Sequence, residues 1–171
     1  METAVVTHTL EPVFDPKSRV LILGTMPSPK SREAGFYYGH PQNRFWPVLA
    51  AVFETAVPQG TEERREFLLS HRIALWDVLQ SCEISGASDS SIRNPVPNDF
   101  ARIFSRADIR EVFTTGTTAY RLFTRFGHRP CRLLPSPSPA NCRIRFEDLV
   151  EAYRAIRNYV DLPERRPGNA L

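Results

Sequence analysis

The side chains able to do chemistry crowd into one stretch, Val20 to Trp46, VLILGTMPSPKSREAGFYYGHPQNRFW. Asn43 stands just before a helical pattern that begins at Arg44-Phe45-Trp46. Asparagine is a favoured N-cap residue, so capping is its first reading. Its carboxamide can also hold and orient a water molecule, and the two roles are compatible. Tyr38 offers an aromatic face for stacking, or a core ring beneath the loop. His40 reads as loop or capping material that structures the Tyr38–Asn43 turn. Thr25, Met26, Pro27 and Ser28 form a tight turn fixed by proline. The N–H groups of Thr25, Met26 and Ser28, or the Ser28 hydroxyl, can bond a ligand's polar edge or a phosphate. Ser28 as a hydrolase nucleophile has little support, because the G-x-S-x-G pattern is absent. A second concentration, Pro135-Ser136-Pro137-Ser138-Pro139-Ala140-Asn141, reads by itself as a Pro/Ser surface loop. Its prolines pre-set an extended path with little left to order on binding.

The elements that must position these residues follow from periodicity. Val20-Leu21-Ile22-Leu23, bounded by Gly24, predicts a strand buried on both faces. After Thr25–Pro29 we expect a loop of about fifteen residues, a length that compact domains keep for function. Further strands are expected at Ile73–Trp76, Glu111–Thr115 and Cys131–Leu134. Helices are expected after Arg44, from Thr61 (as cap) to His71, Asp99–Ala107 with Asn98 as cap, Thr117–Phe126 and Phe146–Tyr159. Val5–Leu10 reads as an arm or edge strand, and Ser81–Asn98 as an aperiodic polar loop. Strands alternating with helices imply a parallel sheet covered on both faces. The expected fold is α/β: a three-layer α/β/α sandwich with a central four-stranded parallel sheet. Ligands bind such sheets just beyond the strands' carboxyl ends, where the Thr25–Asn43 loop falls.

At 171 residues the chain is expected to form one domain over residues 1–162, with a disordered tail from 163 to 171. No apolar run approaches the roughly 18 residues of a membrane span, and the N-terminus lacks the order of a signal peptide. A soluble, cytoplasmic, monomeric protein is therefore expected. The net charge is +3, carried by 20 arginines and 2 lysines against 19 acidic residues. That allows nucleic acid as a partner without demanding it, and a GC-rich coding bias explains the arginines as well. Cys82, Cys131 and Cys142 form no C-x-x-C pair and no zinc spacing, so no metal or cofactor is expected.

The run GTMPS followed by GHPQNRFW resembles the first motif of the uracil-DNA glycosylase superfamily. It is most like the hypoxanthine-DNA (deoxyinosine) glycosylases, with similarity to the mismatch-specific uracil-DNA glycosylases. The resemblance continues through Thr115-Gly116-Thr117-Thr118-Ala119-Tyr120, the LPSPSPAN segment ending at Asn141, and the Leu149–Arg154 helix, spanning roughly residues 17 to 160. It implies the same four-stranded sandwich. In most of that superfamily a catalytic Asp or Asn stands where this chain has Met26, whose thioether cannot polarise water. The hypoxanthine enzymes share that loss, and the resemblance passes the role to Asn43. It likewise implies that Tyr38 stacks on an extruded base, with Thr25, Met26, Pro27 and Ser28 around the base. Ser136, Pro137, Ser138, Ala140 and Asn141 would then meet DNA, the last two near the wedge that fills the vacated stack. Leu134 stands where a catalytic His often occurs, which weakens the case for uracil. Three scattered thiols cannot supply the four-cysteine iron–sulfur cluster that some relatives carry.

The expectation is thus a monofunctional DNA glycosylase that flips out a deaminated base, hypoxanthine favoured, and hydrolyses its N-glycosidic bond. Its partner is DNA containing deaminated bases. Rivals are excision of uracil, thymine or xanthine from mismatches, a nucleic-acid-binding module without activity, and an unrelated hydrolase using Ser28.

Overall fold

The structure, a computed structural model, describes residues 3–85 and 89–163, with only the backbone of Asp89. The expected disorder beyond Pro163 lies outside the described residues; Pro163 itself accepts a hydrogen bond from Arg110 at 2.9 Å. Four strands form one parallel sheet: β2 (Val20–Gly24), β3 (Ile73–Asp77), β6 (Glu111–Thr115) and β7 (Arg132–Leu134), in the order β3-β2-β6-β7. Val20, Leu21, Ile22 and Leu23 are wholly buried, as a strand covered on both faces requires. Helix α2 (Phe45–Val52) packs on α6 (Phe146–Tyr153), and α3 (Gly60–Ser70) packs beside β3. The general right-handedness of parallel crossovers places α5 (Thr117–Phe126) on the opposite face. There Phe123 meets Phe100, next to the short α4 (Ala101–Phe104), with ring centroids 5.2 Å apart. The expected three-layer sandwich is the observed one. The chain leaves β2 toward one face and β6 toward the other, so a crevice opens between their carboxyl ends.

Five local expectations are corrected. The polar stretch Ser81–Asn98 contains two strands, β4 (Leu79–Ile84) and β5 (Arg93–Pro97). Together with β1 (Ala4–Thr7) they make a second, antiparallel sheet in the order β1-β4-β5. The two prolines of β5 fit because it is an edge strand, where a missing N–H costs nothing. The loop after β2 holds a helix, α1 (Pro29–Ala34): Pro29 sits at its first position and the Ser28 hydroxyl accepts from Ser31 N at 3.1 Å. Asn98 caps nothing; its amide donates to the carbonyls of Asp77 (2.9 Å) and Leu79 (3.2 Å), while Asp99 accepts from Ala101 N. Likewise Thr61 lies inside α3, whose entry is tied by Glu63 accepting from Gln59 N at 2.7 Å. Beyond α6 the expected single helix passes through one 3-10 turn into α7 (Arg157–Val160). No helix of the described residues is long and apolar enough to cross a membrane.

A cleft at the carboxyl edge of the sheet

A cleft of about 690 Å³ opens over the carboxyl ends of β2, β3 and β6, within the range of small-ligand sites, roughly 300–1,000 Å³. The turn after β2 contributes Thr25, Met26, Pro27 and Ser28. The stretch beyond α1 adds Tyr38, His40 and Asn43, and the loop after β7 adds Ser136 to Asn141. The eleven residues to which the resemblance gave a catalytic, base-pocket or DNA-binding role therefore border one hollow. Leu134 is buried at the end of β7 and lies outside it.

Asn43 holds its place through local hydrogen bonds. Its N–H donates to the His40 carbonyl at 2.9 Å, and its Oδ1 accepts from Phe45 N at 2.9 Å, so it satisfies the first N–H of α2 from one residue outside the cap position, which Arg44 occupies. Because the Phe45 N–H is a donor, the atom facing it must be the amide oxygen, which fixes the amide's orientation. One acceptor site on Oδ1 remains. His40 Nδ1 accepts from Gln42 N at 3.0 Å, so the imidazole shapes this turn as expected.

Tyr38 takes φ 53°, a conformation that costs a non-glycine residue energy and must be enforced by its surroundings. Its ring stacks on Phe45 at 3.8 Å and 13°, and its hydroxyl bonds Thr115 Oγ1 at 2.9 Å. The ring is thus both packed against the core and part of the cleft wall. Phe36 and Tyr37 are both buried; Tyr37 donates to the Glu11 carbonyl at 2.8 Å. Burial first, and then the charge of Asp77, pushes the Tyr37 and Tyr38 phenols well above their ordinary range. Both stay neutral donors at any physiological pH.

The turn after β2 is pinned to β4: Val78 N donates to the Gly24 carbonyl at 2.8 Å and Leu79 N to that of Thr25 at 3.1 Å. No hydrogen bond among the described residues uses the N–H groups of Met26 or Ser28, so both remain available to a ligand. The Ser28 oxygen is engaged as the cap of α1 and bonds the Ser31 hydroxyl at 3.2 Å, which does not favour a nucleophilic role.

The Ser136–Asn141 loop is braced from within. Ser136 Oγ accepts from Ser138 N, Ser138 Oγ accepts from Ala140 N (both 3.2 Å), and the Asn141 amide donates to the Ser136 carbonyl at 3.0 Å. With each serine oxygen serving as acceptor, each hydroxyl hydrogen is left to donate outward. Tyr153 in α6 supports the Pro135 carbonyl at 2.7 Å. Arg44, which the sequence reading passed over, joins the two loops. Its N–H donates to the Pro137 carbonyl at 3.1 Å, and its guanidinium to the carbonyls of Ile144 (2.7 Å) and Asn141 (2.9 Å).

Four further cleft residues escaped sequence reasoning. Asp77 ends β3, and a lone acid closing an apolar strand was the signal. Val6 and Ile84 bring the antiparallel sheet to the cleft as a side wall, and no pattern announced that pairing. Arg32 adds positive charge at the rim. Among the described residues no group of three or more His, Cys, Asp or Glu side chains is placed to hold a metal ion.

Comparison with known proteins bears on this cleft. The family model for the uracil DNA glycosylase superfamily matches residues 11–157. A hypoxanthine DNA glycosylase of Methanosarcina acetivorans is 33% identical over 135 residues, covering 77% of this chain and 85% of its own. Its counterpart in Methanosarcina barkeri is 32% identical over 136 residues, covering 77% and 86%. A solution NMR structure from M. acetivorans, provisionally assigned as a uracil DNA glycosylase, superposes with a TM-score of 0.73 at 28% identity. That match takes in 90% of this chain and 99% of the other.

Proposed function

The chain belongs to the uracil DNA glycosylase superfamily, and from that premise we propose that it excises a deaminated base, hypoxanthine by preference, from DNA. Hydrolysis of the N-glycosidic bond releases the base and leaves an abasic site. The observation that carries this reading is the meeting of Asn43, Tyr38 and both proline-marked loops around one hollow at the sheet's carboxyl edge.

The chemistry asks for little covalent help. Cleavage passes through a sugar of oxocarbenium character and a departing anionic base, so the site must stabilise separated charge and aim a water. The remaining acceptor site of Asn43 Oδ1 accepts a hydrogen bond from that water and orients it, while the Phe45 N–H holds the amide still. The free N–H groups of Met26 and Ser28 face the developing charge of the base. Extruding a base forfeits a few kcal/mol of stacking, and the Tyr38 ring, backed by Phe45, returns part of it. The hydroxyls of Ser136 and Ser138 hold the strand's phosphates, and Ala140 and Asn141 fill the gap the base leaves. Lys17 and Lys30, the only lysines, do not border the cleft, which supports simple hydrolysis without a Schiff base.

The test uses duplexes and single strands carrying hypoxanthine, uracil, thymine opposite guanine, or xanthine at one position. Alkali-labile strand breaks are then counted after incubation with the protein. Fastest breakage at hypoxanthine is the expected result. Retention of such DNA without any abasic site would establish the binding module instead. Covalent labelling of Ser28 by a fluorophosphonate probe would establish the hydrolase.

A further inference from the structure

Helix α5 begins where the cleft ends. Thr115, the last residue of β6, borders the hollow, and Gly116 N donates to the Leu134 carbonyl at 2.8 Å. A Cβ added at Gly116 would lie 3.4 Å from that of Ser136, so the helix starts against the Ser136–Asn141 loop. From there the crossover between the parallel strands β6 and β7 carries α5 back toward the amino edge of the sheet, away from the cleft.

The two faces of α5 differ sharply. Ala119 and Phe123 are wholly buried, whereas Thr117, Tyr120, Arg121, Thr124 and Arg125 are all exposed. Those five fall at i, i+3, i+4, i+7 and i+8, the spacing of a single helix face. No acidic residue occurs in α5. Elsewhere the exposed guanidiniums of Arg102, Arg132, Arg145 and Arg154 each lie 2.7–3.2 Å from a carboxylate oxygen. Among the described residues neither Arg121 nor Arg125 has such a partner, and Arg125 is instead seated over the Phe126 ring at 4.7 Å. Beside them Tyr120 leaves 37% of its surface exposed.

A basic, acid-free face that also presents an aromatic ring suits unpaired nucleic acid, whose phosphates take the guanidiniums and whose bases take the ring. Arg121 and Arg125 stand about 6 Å apart along the helix axis, close to two steps of a stacked strand at roughly 3.4 Å each. The ten residues of α5 rise about 15 Å, which such a strand covers in about four to five nucleotides. A duplex, with a persistence length of about 150 base pairs, does not turn from the cleft down one helix face within that distance. A single strand does. Resting on the reading of the cleft as the pocket for an extruded base, we propose that the exposed face of α5 is a track for the unpaired DNA strand leaving that cleft. Two of its phosphates lie on Arg121 and Arg125, and a base lies against Tyr120.

The test measures equilibrium binding of the full-length protein to single-stranded oligonucleotides carrying deoxyinosine. Each has a tail of about three or about eight nucleotides on one side of the lesion or the other, below and above the span of α5. The longer tail should bind more tightly on one side only, and annealing a complement to that tail should abolish the gain. Between about 50 and about 200 mM salt, wild-type protein should lose about sevenfold more affinity for the long-tailed strand than Arg121→Gln/Arg125→Gln, the effect of two phosphates at about 0.7 each in the logarithmic salt slope. That difference should vanish with the short tail. Arg132→Gln/Arg154→Gln, which removes the same charge elsewhere, should respond as wild type does. Tyr120→Ala should weaken long-tail binding by about fivefold or more, and Tyr120→Phe, which keeps the ring, should restore it. Wild-type protein that excises hypoxanthine yet shows no gain from the longer tail, or the same gain on both sides, overturns the inference without any variant. A salt response lowered equally by the Arg132 and Arg154 changes does so too, as does Tyr120→Phe binding as weakly as Tyr120→Ala. Failure of wild-type protein to excise any deaminated base instead removes the reading of the cleft on which the track rests.

Discussion

Replacing Asn43 by alanine perturbs two things at once, and the structure says how large each should be. The lost Oδ1 leaves Phe45 N without its 2.9 Å partner at the start of α2. Deleting such a cap costs about 0.5–2 kcal/mol. For a chain of this size each kcal/mol lowers Tm by roughly 2–4 °C, so a fall of roughly 1–8 °C is expected. The same substitution removes the proposed acceptor for the attacking water, a loss of about 100- to 1,000-fold in the cleavage step. The thermal loss leaves the protein folded at 25 °C, so the two effects separate cleanly. Asn43→Asp is the control. It keeps an oxygen for the Phe45 N–H and an acceptor for water, so Tm should hold and single-turnover cleavage should stay within about tenfold. The assay is single-turnover excision from a deoxyinosine duplex at saturating protein, with Tm from calorimetry. Should Asn43→Ala melt lower yet cleave at the wild-type rate, Asn43 is a cap and nothing else, and the water must be held elsewhere.

Other outcomes follow from the same geometry. Gly24→Ala drives a methyl group into the Asp77 carboxylate, and should cost about 1–3 kcal/mol in chemical denaturation while weakening substrate binding. Arg44→Ala releases the Asn141 and Ile144 carbonyls, so KM for DNA should rise about tenfold or more, with a smaller change in kcat. Tyr38→Phe forfeits only the Thr115 bond, about 0.5–1.5 kcal/mol of stability. Tyr38→Ala also loses the stacking face, and should weaken binding of an extruded base by about 1–3 kcal/mol in a fluorescent-base titration. Burial, the leading cause in each case, raises the phenols of Tyr37, Tyr38 and Tyr153. A raised folded-state pKa gives stability that is intact below the unfolded value of about 10 and is lost as pH climbs through the folded one. Tm should therefore fall above about pH 10, and less steeply in Tyr38→Phe.

The centre of the parallel sheet was legible because β2 and β3 are short apolar runs buried on both faces, whereas the edge strand β7 leaves Arg132 and Leu133 exposed. The antiparallel sheet was not legible. In β4 the burial follows no simple alternation, and β5 carries two prolines on a mostly exposed edge, so neither looks like a strand until its partner is known. Helix α1 was hidden by Pro27 and Pro29, which read as breakers although Pro29 occupies the one helical turn that tolerates it. In the cleft, residues on the two proline-marked loops could be singled out because each loop follows a recognisable strand. His8 and Asp77 are 69 positions apart and meet only through the pairing of β1 with β4. Arg44 was invisible for a similar reason: its partners are carbonyls, and carbonyls leave no mark in a sequence.

Arg44 grips the loop after β7 by main-chain oxygens and ignores its side chains. The loop's path is thus insured independently of what it displays, and Cys142 and Arg143, both exposed, are free to be exchanged. Lineages, or an engineer, can rewrite the loop's exposed face while the guanidinium brace and its neighbouring amide stay put.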